Sequence, residues 1–310
     1  VRSLHWRKKP DPARLEDFTV TVIGAGMGGL NAAIRLREAG FPFTVIEKNK
    51  GVGGTWWENR YPGARCDVES MQYSFSFSPE LDQEWDWTEK YAPQPEILKY
   101  ANHVADRFDL RRDIVFDTRV TSAVFDKQTN LWNIETDKGE KVGARFCIMA
   151  VGCLSSANKP AFKDIEKFEG PIYHTGEWPH DGVDFTGKRV GVIGTGSSAI
   201  QSIPIIAQQA KTLTVFQRTP NYSVPARNAD LSPEYRAEVK ARYPELRAKA
   251  RARPTGFYFK FNGAPALAAS PEERKKQYEE AWTEGGLPFL GSYGDLLFDK
   301  KANDTIADFA

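Results

Sequence analysis

Two stretches of this chain, far apart in sequence, follow one plan: a β-branched apolar run, a glycine turn, then an apolar pattern of helical period. Phe18-Thr19-Val20-Thr21-Val22-Ile23 runs into Gly24-Ala25-Gly26-Met27-Gly28-Gly29, and Arg189-Val190-Gly191-Val192-Ile193 runs into Gly194-Thr195-Gly196-Ser197-Ser198-Ala199. The first helical pattern carries Leu30, Ala33 and Ile34 and stops at Gly40, a natural C-cap. The second carries Ile200, Ile203, Ile206 and Ala207. A glycine triplet alone says little, but a strand before it and a helix after it form the context a dinucleotide site requires. The glycines let the backbone approach a pyrophosphate, and the helix N-terminus offers it unpaired N–H groups and partial positive charge. The expected fold is α/β, with two Rossmann-like dinucleotide-binding domains, and 310 residues suit about two domains.

The end of the second strand in each unit separates the two ligands. The strand Phe43-Thr44-Val45-Ile46 ends at Glu47, about 20 residues past the first turn, where a carboxylate can accept from a ribose 2′-OH. The strand Leu213-Thr214-Val215-Phe216 ends in Gln217-Arg218, with no acid and a guanidinium where a 2′-phosphate would sit. A carboxylate at one site and an arginine at the other point to FAD at the first turn and NADPH at the second.

Composition narrows the function classes. Lys and Arg number 42 against 41 Asp and Glu, a balance that argues against binding nucleic acid through its phosphates. The longest apolar run, Phe146 to Val151, falls far short of the ~18 residues of a membrane span. The stretch Val1-Arg2-Ser3-Leu4-His5-Trp6-Arg7 has no apolar signal core, so a cytoplasmic location is expected. The three cysteines, Cys66, Cys147 and Cys153, lack C-x-x-C spacing, which excludes a zinc ribbon, disfavours a thiol–disulfide reductase and fits a reducing compartment. No metal site is expected.

Between the turns lies a glycine-dense segment, Gly51-Val52-Gly53-Gly54-Thr55-Trp56-Trp57, suited to a chain lying along a flat ligand. Gly54-Thr55-Trp56, four residues, Tyr61-Pro62-Gly63, three residues and Asp67 resemble one signature of the type I Baeyer–Villiger monooxygenases. Phe168-Glu169-Gly170-Pro171-Ile172-Tyr173-His174-Thr175-Gly176-Glu177-Trp178-Pro179 resembles that family's second signature and lies, as there, between the two turns. The likeness runs through Tyr222.

The resemblance implies an enzyme that uses NADPH, FAD and O₂, by way of a peroxyflavin, to insert one oxygen beside a ketone carbonyl, giving an ester or lactone. S- or N-oxygenation, or a nucleotide-binding redox module without turnover, are the alternatives. By the same resemblance, Gly24, Gly26, Gly29 and Glu47 hold the adenosine diphosphate half of FAD. Thr55 and Trp56 pass beside the flavin, and Val120 touches the adenine. Asp67 and Tyr73 lie near flavin and nicotinamide, with Arg65 on the NADPH side; Asp67 and Arg65 are the catalytic candidates. Thr195, Gly196, Ser197 and Ser198 hold the NADPH pyrophosphate and Arg218 its 2′-phosphate. His174 and Trp178 carry a conformational role.

Simpler roles are open to several of these residues. Trp56 and Trp57 suit a core, and Asp67 suits the N-cap of a helix beginning at Val68. Trp85-Asp86-Trp87 and Phe75-Ser76-Phe77 alternate as packed segments do. Residues 1–152 are expected to form the first part of an FAD domain, 153–229 a linker and the first part of an NADPH domain, and 230–310 a helical insertion in the latter. Ser232-Pro233-Glu234 and Ser270-Pro271-Glu272-Glu273 read as helix starts, the second a capping box. Arg247, Lys249, Arg251 and Arg253 recur every second residue and so scatter around a solvated helix. Phe257, Tyr258, Phe259 and Phe261 serve either a loop toward substrate or packing. Members of the resembled family are longer, and their catalytic arginine lies downstream of the second turn, where no arginine here has a matching context. The chain is therefore expected to be the first part of a longer enzyme.

Overall fold

Strand β1 (Val20–Ile23) runs into the first glycine turn, which delivers the chain into helix α1 (Met27–Ala39). The computed structural model describes residues 17–310, so the stretch 1–7 weighed for a signal lies outside the described residues. Gly24 has φ +102°, and a Cβ built on it would meet the carbonyl oxygen of Ala150 at 2.6 Å, so a side chain is excluded on two counts. Gly40 caps α1 in the left-handed conformation as expected, and β2 (Phe43–Ile46) returns parallel to β1.

Beyond β2 come α2 (Thr55–Glu58), α3 (Pro79–Glu84), α4 (Gln94–Arg107), β3 (Ile114–Val115), β4 (Val120–Asp126), β5 (Leu131–Thr136), β6 (Lys141–Ala144) and β7 (Phe146–Met149). Next are β8 (Arg189–Ile193), α5 (Ser197–Gln209), β9 (Thr212–Phe216), α6 (Pro233–Arg251), α7 (Pro271–Glu284), α8 (Leu287–Leu290) and α9 (Lys300–Phe309). The fold is mixed α/β, and its described residues form two compact units: 17–62 with 94–184, and 63–93 with 185–310.

In the unit of the first turn, a parallel sheet runs in the order β3-β2-β1-β7. β1 is central, and its Val20, Thr21 and Val22 are buried, as a strand covered on both faces demands. α4 buries Ile97, Tyr100, Ala101, Val104 and Ala105, a helical stripe at i, i+3, i+4, i+7 and i+8. Each fully buried large side chain contributes roughly 1.5–3 kcal/mol, so this stripe anchors α4 firmly. An antiparallel meander β4-β5-β6 packs around Ile46, Ile134 and Ala144.

In the unit of the second turn, β8 and β9 pair in parallel, from Arg189↔Thr212 to Ile193↔Phe216, with α5 between them in sequence. Of the apolar residues Ile200, Ile203, Ile206 and Ala207 on α5, only Ile206 is buried, and Ile200 is 44% exposed. The reason is the width of the sheet: among the described residues it has two strands, too few to cover a four-turn helix. The helix starts at Pro233 and Pro271 form as read. The Ser232 hydroxyl accepts from the Tyr235 N–H, and Ser270 and Glu273 make the full capping box. The aromatic segments pack, with Trp87 1% exposed and Phe75 and Phe77 rings 5.2 Å apart.

Two expectations fail. No helix begins at Val68, so Asp67 caps nothing; it stands in a bend. Arg247 is not solvated: it is buried, because α6 lies on segment 71–82 and turns this one position of the basic run inward. Among the described residues no helix is long and apolar enough to cross a membrane.

Candidate functional site

At the first turn, Gly26 is the N-cap of α1, and neither a capping side chain nor an acid in the first turn occupies the helix N-terminus. Its N–H groups and the positive end of its dipole therefore remain available to an anion. Glu47, at the end of β2, is 3% exposed. Its Oε2 accepts from the Ala25 N–H at 2.6 Å and its Oε1 from the Asn49 N–H at 2.9 Å, so the carboxylate spans the turn and the loop after β2. The Gly53 N–H donates to the Ala25 carbonyl at 3.0 Å, which lays the glycine-dense segment against the turn.

That segment leads into α2. Thr55 is half-buried, Trp56 is 8% exposed, and the Gln94 side-chain amide donates to the Trp56 carbonyl. Trp57 has Arg60 over its ring at 5.1 Å and the His180 ring edge-on at 5.6 Å. Val120 opens β4, pairs with Thr136 and packs on the Ile46–Ile134–Ala144 cluster. In the second signature, the Nδ1 of His174 accepts from the Gly176 N–H at 3.1 Å, and Trp178 is 6% exposed with the Tyr173 ring 5.7 Å away. His174 thus caps a short turn, and Trp178 packs.

The second turn repeats the vacant N-terminus. Gly196 is the N-cap of α5, with no capping side chain and no acid in the first turn. A Cβ on Gly194 or Gly196 would meet nothing within 4 Å, so the space before Ser197 and Ser198 is open. The Thr195 hydroxyl accepts from the side-chain amides of Gln217 at 2.9 Å and Asn221 at 3.3 Å, which ties the turn to the end of β9. Arg218 lies just past β9, exposed and without a hydrogen-bond or ion-pair partner among the described residues.

Arg65, Asp67 and Tyr73 fold in the unit of the second turn. The Arg65 guanidinium meets Glu89 at 3.0 Å and donates to the Tyr91 carbonyl at 3.2 Å. Asp67 Oδ1 accepts from Gln201 Nε2 at 3.2 Å. Partial burial pushes the Asp67 carboxyl above its ordinary value, and the Gln201 bond offsets part of that rise. Tyr73 is half-buried, its N–H donating to the Glu69 carbonyl at 3.0 Å.

The candidates therefore divide. Arg65, Asp67, Tyr73, Thr195, Gly196, Ser197, Ser198 and Arg218 share one unit; Gly24, Gly26, Gly29, Glu47, Thr55, Trp56, Val120, His174 and Trp178 share the other. Two partners escaped the sequence. Gln201 reads as one more polar position on an apolar helix, and only its place one turn past Ser197 marks it. Phe259 lines a small cleft with Asp67, Tyr91 and Leu287, which the aromatic loop 257–261 alone could not assign. Chemically, each helix N-terminus suits a diphosphate. The open space at Gly194 and Gly196 and the unpaired Arg218 fit a phosphorylated dinucleotide at the second.

Residues 21–254 match the sequence model of the pyridine nucleotide-disulphide oxidoreductase family. A Baeyer-Villiger monooxygenase of Pseudooceanicola batsensis is 46% identical over 94% of this chain and 54% of its own length. An oxidized steroid monooxygenase bound to NADP is 58% identical, with a TM-score of 0.89 over 94% of this chain and 56% of that one. A structure described as OTEMO in complex with FAD and NADP is 41% identical, with a TM-score of 0.89 over 94% of this chain and 56% of that one. The chain spans about half the length of the relatives it matches.

Proposed function

Since the chain belongs to the pyridine nucleotide-disulphide oxidoreductase family, we propose that it binds FAD at the first glycine turn and NADPH at the second. Its proposed reaction is insertion of one oxygen atom of O₂ beside a ketone carbonyl, giving an ester or lactone. The observation that carries this function is the pair of signatures ending at Asp67 and at Trp178-Pro179, in a chain 46% identical to a named Baeyer-Villiger monooxygenase. In this proposal, β1-α1-β2 and β8-α5-β9 are the nuclei of two Rossmann-like dinucleotide-binding domains, the second with a helical insertion.

When bound, FAD supplies the oxygen-activating redox chemistry and NADPH the hydride. The residues of this chain supply binding and orientation. Gly24, Gly26 and Gly29 admit the FAD pyrophosphate to the N-terminus of α1, and Glu47 accepts from its ribose. Thr55 and Trp56 line the flavin, and Val120 the adenine. Thr195, Gly196, Ser197 and Ser198 receive the NADPH pyrophosphate at the N-terminus of α5, and Arg218 its 2′-phosphate. Asp67, Arg65 and Tyr73 orient the nicotinamide and flavin, and His174 and Trp178 hold the second signature in shape. Disulphide chemistry is disfavoured: all three cysteines are free, and burial pushes the Cys66 thiol up to about 11, which suppresses its thiolate.

The test is incubation of the full-length protein with isotopically heavy O₂ and a panel of ketones. Steroid ketones belong in it, because a steroid monooxygenase is among the similar structures. Label is expected in an ester or lactone. Label confined to sulfoxides, N-oxides or peroxide would replace ketone oxygenation by the S- or N-oxygenating alternative.

A further inference from the structure

The Gln201 carboxamide sits at the centre of three hydrogen bonds. Its Oε1 accepts from the Arg65 N–H at 3.3 Å, and its Nε2 donates to the Arg65 carbonyl at 3.2 Å and to Asp67 Oδ1 at 3.2 Å. These partners fix the amide orientation, since an N–H needs the oxygen and two acceptors need the NH₂. A carboxamide meets both demands with one group; a carboxylate offers no donor and an aliphatic side chain neither.

The backbone is shaped to this contact. Gly63 has φ +77°, and a Cβ there would strike the Gln201 carbonyl oxygen, so the loop lies flush along α5. The far side of the loop is held separately, by Arg65 to Glu89 and by a bridge between Arg65 and Pro93. Gln201 stands one turn past Ser197, where α5 presents its vacant N-terminus.

We infer that Gln201 is the positioning residue for Asp67, holding its carboxylate at a set distance from the N-terminus of α5. One rigid helix thereby carries both the anion site and the group that orients Asp67. This rests on the proposal that Asp67 and the second turn serve NADPH. In this role Gln201 acts through Asp67 and the Arg65 backbone.

A double-mutant cycle on the full-length flavoprotein tests it, with NADP⁺ binding measured by titration calorimetry and folding checked by flavin content and thermal melting. Gln201→Met is nearly isosteric and removes all three bonds. Gln201→Glu keeps the acceptor for the Arg65 N–H but removes the donors to the Arg65 carbonyl and to Asp67, and sets a like charge beside Asp67. Each is expected to weaken NADP⁺ binding about threefold to tenfold, the equivalent of one modest hydrogen bond. In an Asp67→Ala background the same substitutions should change the affinity less than about twofold, because the group they position is gone. Unchanged affinity in both Gln201 variants, or losses that add to that of Asp67→Ala, would overturn the inference while leaving the site intact. If Asp67→Ala alone leaves NADP⁺ binding untouched, the assignment of Asp67 to the NADPH site fails, and the positioning role with it.

Discussion

Arg247 of α6 and Asp82 of α3 form a buried ion pair, Nη2 to Oδ1 at 2.9 Å, with side chains 9% and 7% exposed. The guanidinium also donates to the Ser74 hydroxyl at 2.5 Å and the Gln72 carbonyl at 3.3 Å, and stands 4.7 Å from the centre of the Tyr243 ring. Tyr243 in turn donates to the Met71 carbonyl at 3.0 Å. One face of α6 is thus bonded to both neighbours of Tyr73 in the loop. Burial holds the Asp82 carboxyl above its ordinary value even though Arg247 pulls it down.

Removing the cation leaves that carboxylate buried without its charge partner. Arg247→Met is expected to destabilise the fold by about 3–5 kcal/mol. Asp82→Asn keeps a neutral acceptor in place and should cost less. Urea denaturation followed by tryptophan fluorescence checks the order, and a loss below about 1 kcal/mol for Arg247→Met would show that the pair does not clamp the helix.

Asp67 has a pH signature. Its folded pKa is raised, chiefly by burial, so the folded state holds its proton more tightly than the unfolded chain does. The stability this group contributes is fully present below the unfolded value of about 3.9 and is lost as pH rises through the folded one. Asp67→Asn removes that loss. The variant should melt above the parent at neutral pH, the gap closing on acidification. Melting curves across pH decide it, and a gap that widens toward acid would contradict the sign.

Gly24→Ala places a non-glycine residue at φ +102° with its Cβ against the Ala150 carbonyl. A strained backbone of this kind costs of order 1–3 kcal/mol before the contact is counted, and the turn must shift to relieve it. The variant is expected to purify with markedly reduced flavin, read from the ratio of visible to ultraviolet absorbance. Full flavin occupancy would detach the first turn from FAD binding.

Arg218 is exposed and unpaired among the described residues, so its removal disturbs little else. Hydrogen bonds to charged groups contribute roughly 1.5–3 kcal/mol each. Arg218→Ala should therefore weaken NADPH about 10- to 100-fold and leave NADH nearly unchanged. Steady-state kinetics with both cofactors checks this, and equal losses would make Arg218 a structural residue.

Much of what rests on a few neighbouring residues was legible in the sequence alone, though not the cap expected at Asp67. The cap at Gly40 and the Ser-Pro starts of α6 and α7 are local hydrogen-bond facts satisfied by neighbours in the chain, and the apolar run of β1 and the glycines of its turn are a local pattern. Both glycine turns, Glu47 and Arg218 could be named as candidates from the local strand–turn–helix pattern. The fold alone decided which distant groups meet. Asp67 finds Gln201 across 134 positions and Asp82 finds Arg247 across 165, and segment 63–93 folds with residues 185–310. A local pattern records that a residue is polar or charged, not what will face it. So Arg247 read as solvated, Gln201 drew no assignment, and Asp67, named as a cofactor-site candidate, also suited a cap that no helix takes up. A side chain's role at such positions comes from the partner that burial forces upon it, and that partner is chosen by packing of elements far apart in sequence.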